Sequence, residues 1–180
     1  LPFMVVQLPG FEKWMDNDRK NEYPIIRQCQ QDTADTVANV HLCSISDAGE
    51  QIDIHPKNKK VVGERLALLA RKYAYGEDIL ADAPRMESVA RKKNIVTITW
   101  NNAGDGIVVK GNKVEGLHVF AGEEEKAYSF IVEGNKLVLQ MEQVEDEPLQ
   151  VKFARTSWYQ VNLYNSAGIP AIPFETNGDI

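Results

Sequence analysis

The 180-residue chain is 43% hydrophobic and 26% charged, proportions that suit one good core or two small ones. Its formal net charge of −6 speaks against a nucleic-acid partner, because binding a phosphate backbone needs clustered Lys and Arg. No apolar stretch approaches the roughly 20 residues that span a bilayer.

The first 80 residues alternate between short apolar strands and amphipathic helices. Phe3 to Leu8 is a continuous apolar run ended by Pro9-Gly10, the pattern of a strand covered on both faces. Because Leu1-Pro2 is not a translation start and a strand follows at once, further sequence is expected upstream. Tyr23 to about Asp35 is predicted helical, with Pro24 near its start and Ile25, Ile26 and Cys29 as its apolar stripe. Val37 to Ile45 reads as a second strand. A polar loop leads to a second helix from about Val61 to Tyr75, with Val62, Leu66, Leu69, Ala70 and Tyr73 on one face and Gly76 as its stop. Strand, helix, strand, helix implies a parallel sheet, and four elements are too few to complete one.

The period changes to two after the segment Glu77 to Pro84. Asn94 to Trp100, Ile107 to Lys110, Leu117 to Ala121, Ala127 to Val132, Leu137 to Met141 and Leu149 to Ala154 are predicted strands, separated by turns such as Glu133-Gly134-Asn135. Arg91-Lys92-Lys93 reads as solvated surface and Glu123-Glu124-Glu125 as a solvated turn. Evenly spaced short strands of this kind make an antiparallel β-sandwich. The chain is therefore predicted as α/β over residues 1–80 and as a β-sandwich domain over 84–180.

Chemistry concentrates in the loop Asp47 to Lys59, just past the carboxyl end of the second predicted strand, which is where parallel sheets bind ligands. His55 is placed there to act as a general base, and Asp53 or Asp47 to hold its second ring nitrogen. On spacing alone, a loop histidine bonded to backbone near a helix start is the more ordinary reading. Gln7, at the same sheet edge, and Trp14, in the loop after the first strand, are candidates to face a ligand. His41 and His118 lie within strands and read as structural, and Trp100 and Trp158 as sandwich packing. Cys29 and Cys43 fit no metal spacing and read as buried free thiols, with one disulfide as the alternative.

The stretch Asp53-Ile54-His55-Pro56-Lys57-Asn58-Lys59, followed by Val62-Gly63-Glu64-Arg65-Leu66-Ala67-Leu68, resembles the histidine block of the sialate O-acetylesterase (9-O-acetylesterase) family. Pro2 to Leu8 is similar to the strand that precedes that block. Asn162-Leu163-Tyr164-Asn165, with Gly168-Ile169-Pro170-Ala171, is similar to the family's closing segment. The resemblance implies an SGNH-type carbohydrate esterase, with this chain as the carboxyl-terminal half of a flavodoxin-like α/β/α domain followed by the sandwich. It implies His55 as catalytic base and Asp53 as its probable orienter, an O-acetylated sugar as substrate, no cofactor and no metal. It also implies a secreted, periplasmic or lysosomal location. Two features depart from the pattern. The wider class carries its acid three residues before the histidine, where this chain has Ile52, which leaves Asp53, Asp47 or a backbone carbonyl as the orienting group. No serine stands in a Gly-Asp-Ser or Gly-Gln-Ser context, so the nucleophile is expected in an amino-terminal part of the same enzyme, and this chain alone is expected to be inactive. The rival from another class is a non-catalytic carbohydrate-binding or adhesion module that uses the sandwich as its working surface.

Overall fold

The structure, a computed structural model, describes residues 1–12, 22–142, 147–178 and 180. Trp14 lies outside the described residues.

A βαβα unit forms the first region: β1 (Phe3–Val6), α1 (Glu22–Thr36), β2 (Val40–Cys43) and α2 (Lys59–Tyr73). β1 and β2 pair in parallel with Val5 opposite Leu42 and Val6 opposite Cys43. Neighbouring residues of a strand face opposite sides of the sheet. Accordingly Val5 and Leu42 cluster with Ala34 of α1, while Met4, Val6 and Cys43 cluster with Val62, Leu66 and Leu69 of α2. α2 therefore turns Val62, Leu66 and Leu69 inward as its periodicity predicts, while Tyr73, assigned to the same face, is exposed. Asn58 caps it by accepting from the Val61 amide, and Gly76 turns the chain out of it at a φ of 74°.

α1 does not. Its predicted apolar stripe faces outward, with Ile25 59% and Ile26 44% exposed and Cys29 exposed as well. The buried face instead carries Pro24 and Arg27. Polar bonds explain the rotation. Arg27 donates to the carbonyls of Pro9, Thr156 and Ser157, and Gln30 accepts from the Leu8 amide and donates to the Val6 carbonyl. The Val6 and Pro9 carbonyls and the Leu8 amide sit at the end of β1 and the Thr156 and Ser157 carbonyls in the closing segment, and a helix turned to bury Ile25 would leave them without these partners. β1 likewise departs from the expectation of two covered faces, since Phe3 is 65% exposed.

The second region holds two four-stranded antiparallel sheets. One runs β3 (Arg85–Lys92), β4 (Ile95–Asn101), β9 (Lys136–Met141), β8 (Tyr128–Glu133). The other runs β12 (Phe174–Glu175), β10 (Gln150–Phe153), β6 (Leu117–Ala121), β7 (Glu124–Glu125), with the pair β5 (Ile107–Val109) and β11 (Leu163–Asn165) alongside. Val96, Ile98, Leu137 and Leu139 of the first sheet meet Val119, Val151 and Phe153 of the second in one core. Trp100 crosses between them, edge-on to Phe153 and Phe174 at 5.7 and 5.5 Å. In the β8–β9 hairpin, Glu133 pairs with Lys136 around Gly134, whose φ of 60° suits a glycine in a two-residue turn.

The two regions share their seam. The segment after β10 returns to the α/β unit, where Ile169 and Ile172 cluster with Leu42 and Ala83, and Ser46 Oγ donates to the Ala171 carbonyl. Trp158 packs here too, against Gly10, rather than inside the sandwich. Asn162 and Asn165 explain the closing segment's composition. Asn162 bridges the Lys110 and Lys113 carbonyls to the Glu115 amide. Buried Asn165 donates to the carbonyls of Asp82 and Asn102 and accepts from the amides of Ala167 and Ile169. Each asparagine uses both ends of its amide on backbone, which a carboxylate or an apolar side chain cannot do.

Candidate active site

The loop between β2 and α2 is held at its root. Directly after β2, Asp47 forms a two-pronged ion pair with Arg65 of α2, at 2.6 and 2.9 Å, and the same guanidinium donates to the Ser44 carbonyl. Arg65 is buried, so the pair is shielded from water and geometrically fixed. Gly49 then passes so close to the Gly10 backbone that a Cβ there would collide with the Gly10 carbonyl oxygen. Further along, the Glu12 amide donates to the Gln51 carbonyl, and Gln51 Nε2 donates to Glu12 Oε2 at 2.5 Å. The loop therefore rests on the segment that follows β1.

His55 stands at the outer end of this loop with its side chain 75% exposed, beside Asp53 at 41%. Asp53 Oδ1 accepts from the His55 amide at 2.9 Å and lies 3.4 Å from His55 Nδ1. The backbone bond from His55, ahead of the ring's own contribution, holds the Asp53 carboxyl below the ordinary aspartate range. Of the carboxylates the sequence leaves open, Asp53 is therefore the one beside the ring. Asp47 spends both oxygens on Arg65.

Gln7 does not open toward a ligand. It is buried, donating from Nε2 to the Arg27 carbonyl at 3.2 Å. Beside it, Arg27 lies over the Tyr159 ring at 4.6 Å, and burial lowers the guanidinium's pKa and pushes the Tyr159 phenol up to about 12. This buried polar group, which sequence reasoning missed, joins the floor of the candidate site to the closing segment. A lone Arg among polar helix residues gives no signal that its partners are backbone carbonyls about 130 residues away. His41 lies on β2 and stacks on Tyr73, while His118 on β6 contacts Glu125 at 2.6 Å. Both thiols are free. Cys43 is buried and its pKa raised to about 11, whereas Cys29, expected to be buried, is exposed.

Among solved structures, one aligns with nearly the whole of this chain. XAC1771, described as a novel carbohydrate acetylesterase from Xanthomonas citri, aligns with a TM-score of 0.82 at 28% identity. The alignment covers 98% of this chain and 41% of that one. The chain is thus similar, along nearly its whole length, to part of a carbohydrate acetylesterase. It spans about two fifths of that protein's length. The S-layer protein rSbsC aligns with a TM-score of 0.42 at 14% identity, over 85% of this chain and 19% of the other, which is too distant to carry an argument. No family's sequence profile and no curated protein matches the chain.

Proposed function

We propose that this chain is the histidine-bearing part of a serine-dependent carbohydrate O-acetylesterase, of the SGNH type that acts on O-acetylated sialic acid or a related sugar. The observation that carries it is the likeness to XAC1771 over 98% of the chain. Two features add support. The Asp53–His55 pair stands in a loop at the carboxyl end of the parallel strands, where such sheets bind ligands. Among the described residues β1 is paired on one edge only, and α1 leaves Ile25 and Ile26 uncovered. A further part of the same enzyme, continuing a flavodoxin-like sheet at β1 and carrying the serine, would meet both surfaces. With this reading goes a proposed location outside the cell, in the periplasm or in the lysosome, as the family resemblance of the histidine block suggests.

In this mechanism His55 Nε2 takes the serine proton as Oγ bonds to the acetyl carbonyl carbon. The bond from that carbon to the sugar oxygen then breaks, and the histidine returns the proton to that oxygen. His55 next deprotonates water, which attacks the acetyl-serine; acetate leaves and the proton restores the serine hydroxyl. Asp53 holds the ring and stabilises its cationic form.

The test uses the intact enzyme and its His55→Ala variant, with 4-nitrophenyl acetate and 9-O-acetylated sialic acid as substrates. A loss of kcat of roughly three orders of magnitude or more, at unchanged melting temperature, is expected, since the members of a triad act as a unit. Near-normal turnover would overturn the assignment and leave a carbohydrate-binding module as the better account.

A further inference from the structure

A cavity of about 300 Å³ opens at the end of the parallel pair opposite the His55 loop. His41 at the start of β2, Tyr73 at the end of α2, Asp82 before the sandwich, Arg85 at the start of β3, Asn101 at the end of β4 and Asn102 just after it all line it. Neither region encloses it alone, and nothing in the proposed acetyl transfer uses it. Its volume is at the lower end for small-molecule sites.

The lining narrows the ligand class. Its charges are already paired: Lys72 Nζ donates to Asp82 Oδ2 at 2.5 Å, and Arg85 Nη1 donates to Asp35 Oδ1. Tyr73 Oη adds a bond to Asp82 at 2.8 Å. Burial opposes the charge of Lys72, yet the Asp82 carboxylate prevails and raises its pKa, so the ammonium stays charged at neutral pH. His41 is shifted the other way. Burial lowers its pKa, ahead of a raising effect from Asp82 and a lowering one from Lys72, and the ring is neutral at pH 7. Two cations against two carboxylates leave no net field to draw an ion, and an ionic ligand would have to break a pair.

Hydrogen-bonding capacity nevertheless remains. Among the described residues no group bonds the ring nitrogens of His41. Asn101 Oδ1 receives only a 3.3 Å contact from Asn102. An apolar ligand would waste these groups. The His41 and Tyr73 rings, stacked at 3.4 Å and 13°, add a flat wall of low polarity. A neutral molecule that both donates and accepts, and has a face to lay against that wall, meets every condition. We propose that this cavity is a second saccharide site, holding a neutral sugar residue by its hydroxyls at the seam between the two regions.

The test reads binding rather than turnover, so its outcome is independent of the esterase assignment. The ¹⁵N-labelled chain is titrated with methyl β-D-glucopyranoside, methyl β-D-xylopyranoside and, as the charged arm, the methyl glycoside of N-acetylneuraminic acid. The expected result is millimolar binding of at least one neutral glycoside, with shifts at Asn101, Asn102 and His41 and none at His55. His41→Phe keeps the stack and removes the ring nitrogens; about a tenfold loss of affinity is expected, the equivalent of about 1.4 kcal/mol. Asn101→Ala, at an exposed position, gives a second variant that folding does not depend on, with a several-fold loss expected. No binding of either neutral glycoside, shifts centred elsewhere, tighter binding of the charged arm, or affinities unmoved in both variants would each overturn the proposal.

Discussion

The sandwich and the α/β unit are held together by different forces. In the sandwich, Val96, Ile98, Leu137, Leu139, Val119, Val151 and Phe153 are wholly buried, and both sheets contribute to a single apolar core. In the α/β unit the apolar clusters are small, and two buried arginines bridge what the core leaves apart. Arg27 gathers carbonyls from the loop after β1 and from the closing segment, and Arg65 ties the His55 loop to α2. An apolar core tolerates rearrangement, because dispersion and the hydrophobic effect have no direction. A guanidinium bonded to fixed carbonyls or to a carboxylate does not. The α/β unit carries the candidate site and is the part of the molecule held by directional bonds, as a site that must keep its geometry requires.

Four experiments break or sharpen that contrast. The largest effect is expected from Trp100→Ala, which empties the middle of the sandwich and should cost about 3–5 kcal/mol of unfolding free energy by denaturant titration. A loss below about 1 kcal/mol would mean that the sandwich core is not the chief store of stability.

Arg27→Met comes next. It preserves the length of the side chain but removes the bonds to three carbonyls, of which Ser157 keeps the Phe11 amide as a partner; about 2–3 kcal/mol is expected, with amide-exchange protection falling at Phe11. Uniform loss of protection across the chain would contradict the picture of a local clamp.

For Arg65→Gln the expected loss is smaller, roughly 1–2 kcal/mol, because the Asp47 carboxylate it leaves behind retains partial access to water. The informative readout is loop order, measured as faster exchange of the Ala48 and His55 amides; unchanged exchange would show that the Gly10–Gly49 contact alone fixes the loop.

The smallest effect concerns pH. The folded-state pKa of Asp53 is depressed, so the bond from the His55 amide is fully present above the ordinary aspartate value of 3.8 and is lost as pH falls through the lower folded value. The His55 amide resonance should hold steady from neutral pH down to that range and move only below it. A midpoint at or above 3.8 would show that the bond does not hold in solution.

Composition and period carry information about elements, and here they located most of them. Residues facing a core repeat every two or 3.6 positions whatever lies across from them, so α2 and the strands β4, β6, β8, β9 and β10 were legible. β3 was not, because it is half-exposed, charged and interrupted by a bulge between Met86 and Ser88. β11 and β12 are too short to show a period. The position of His55 past a strand, with Asp53 two residues before it, was also legible because it is local. The sequence by itself could not choose between Asp53 and Asp47, since Arg65, 18 residues from Asp47, makes that choice through space. Nor could it show that α1 turns its apolar stripe outward, since the carbonyls that Arg27 satisfies come from the far end of the chain. Local pattern determined which residues are helical, extended or looped. Which face of a helix is buried, and which carboxylate is left beside the histidine, only the tertiary structure decided, because backbone carbonyls have no sequence signature and become partners only when the chain brings them together.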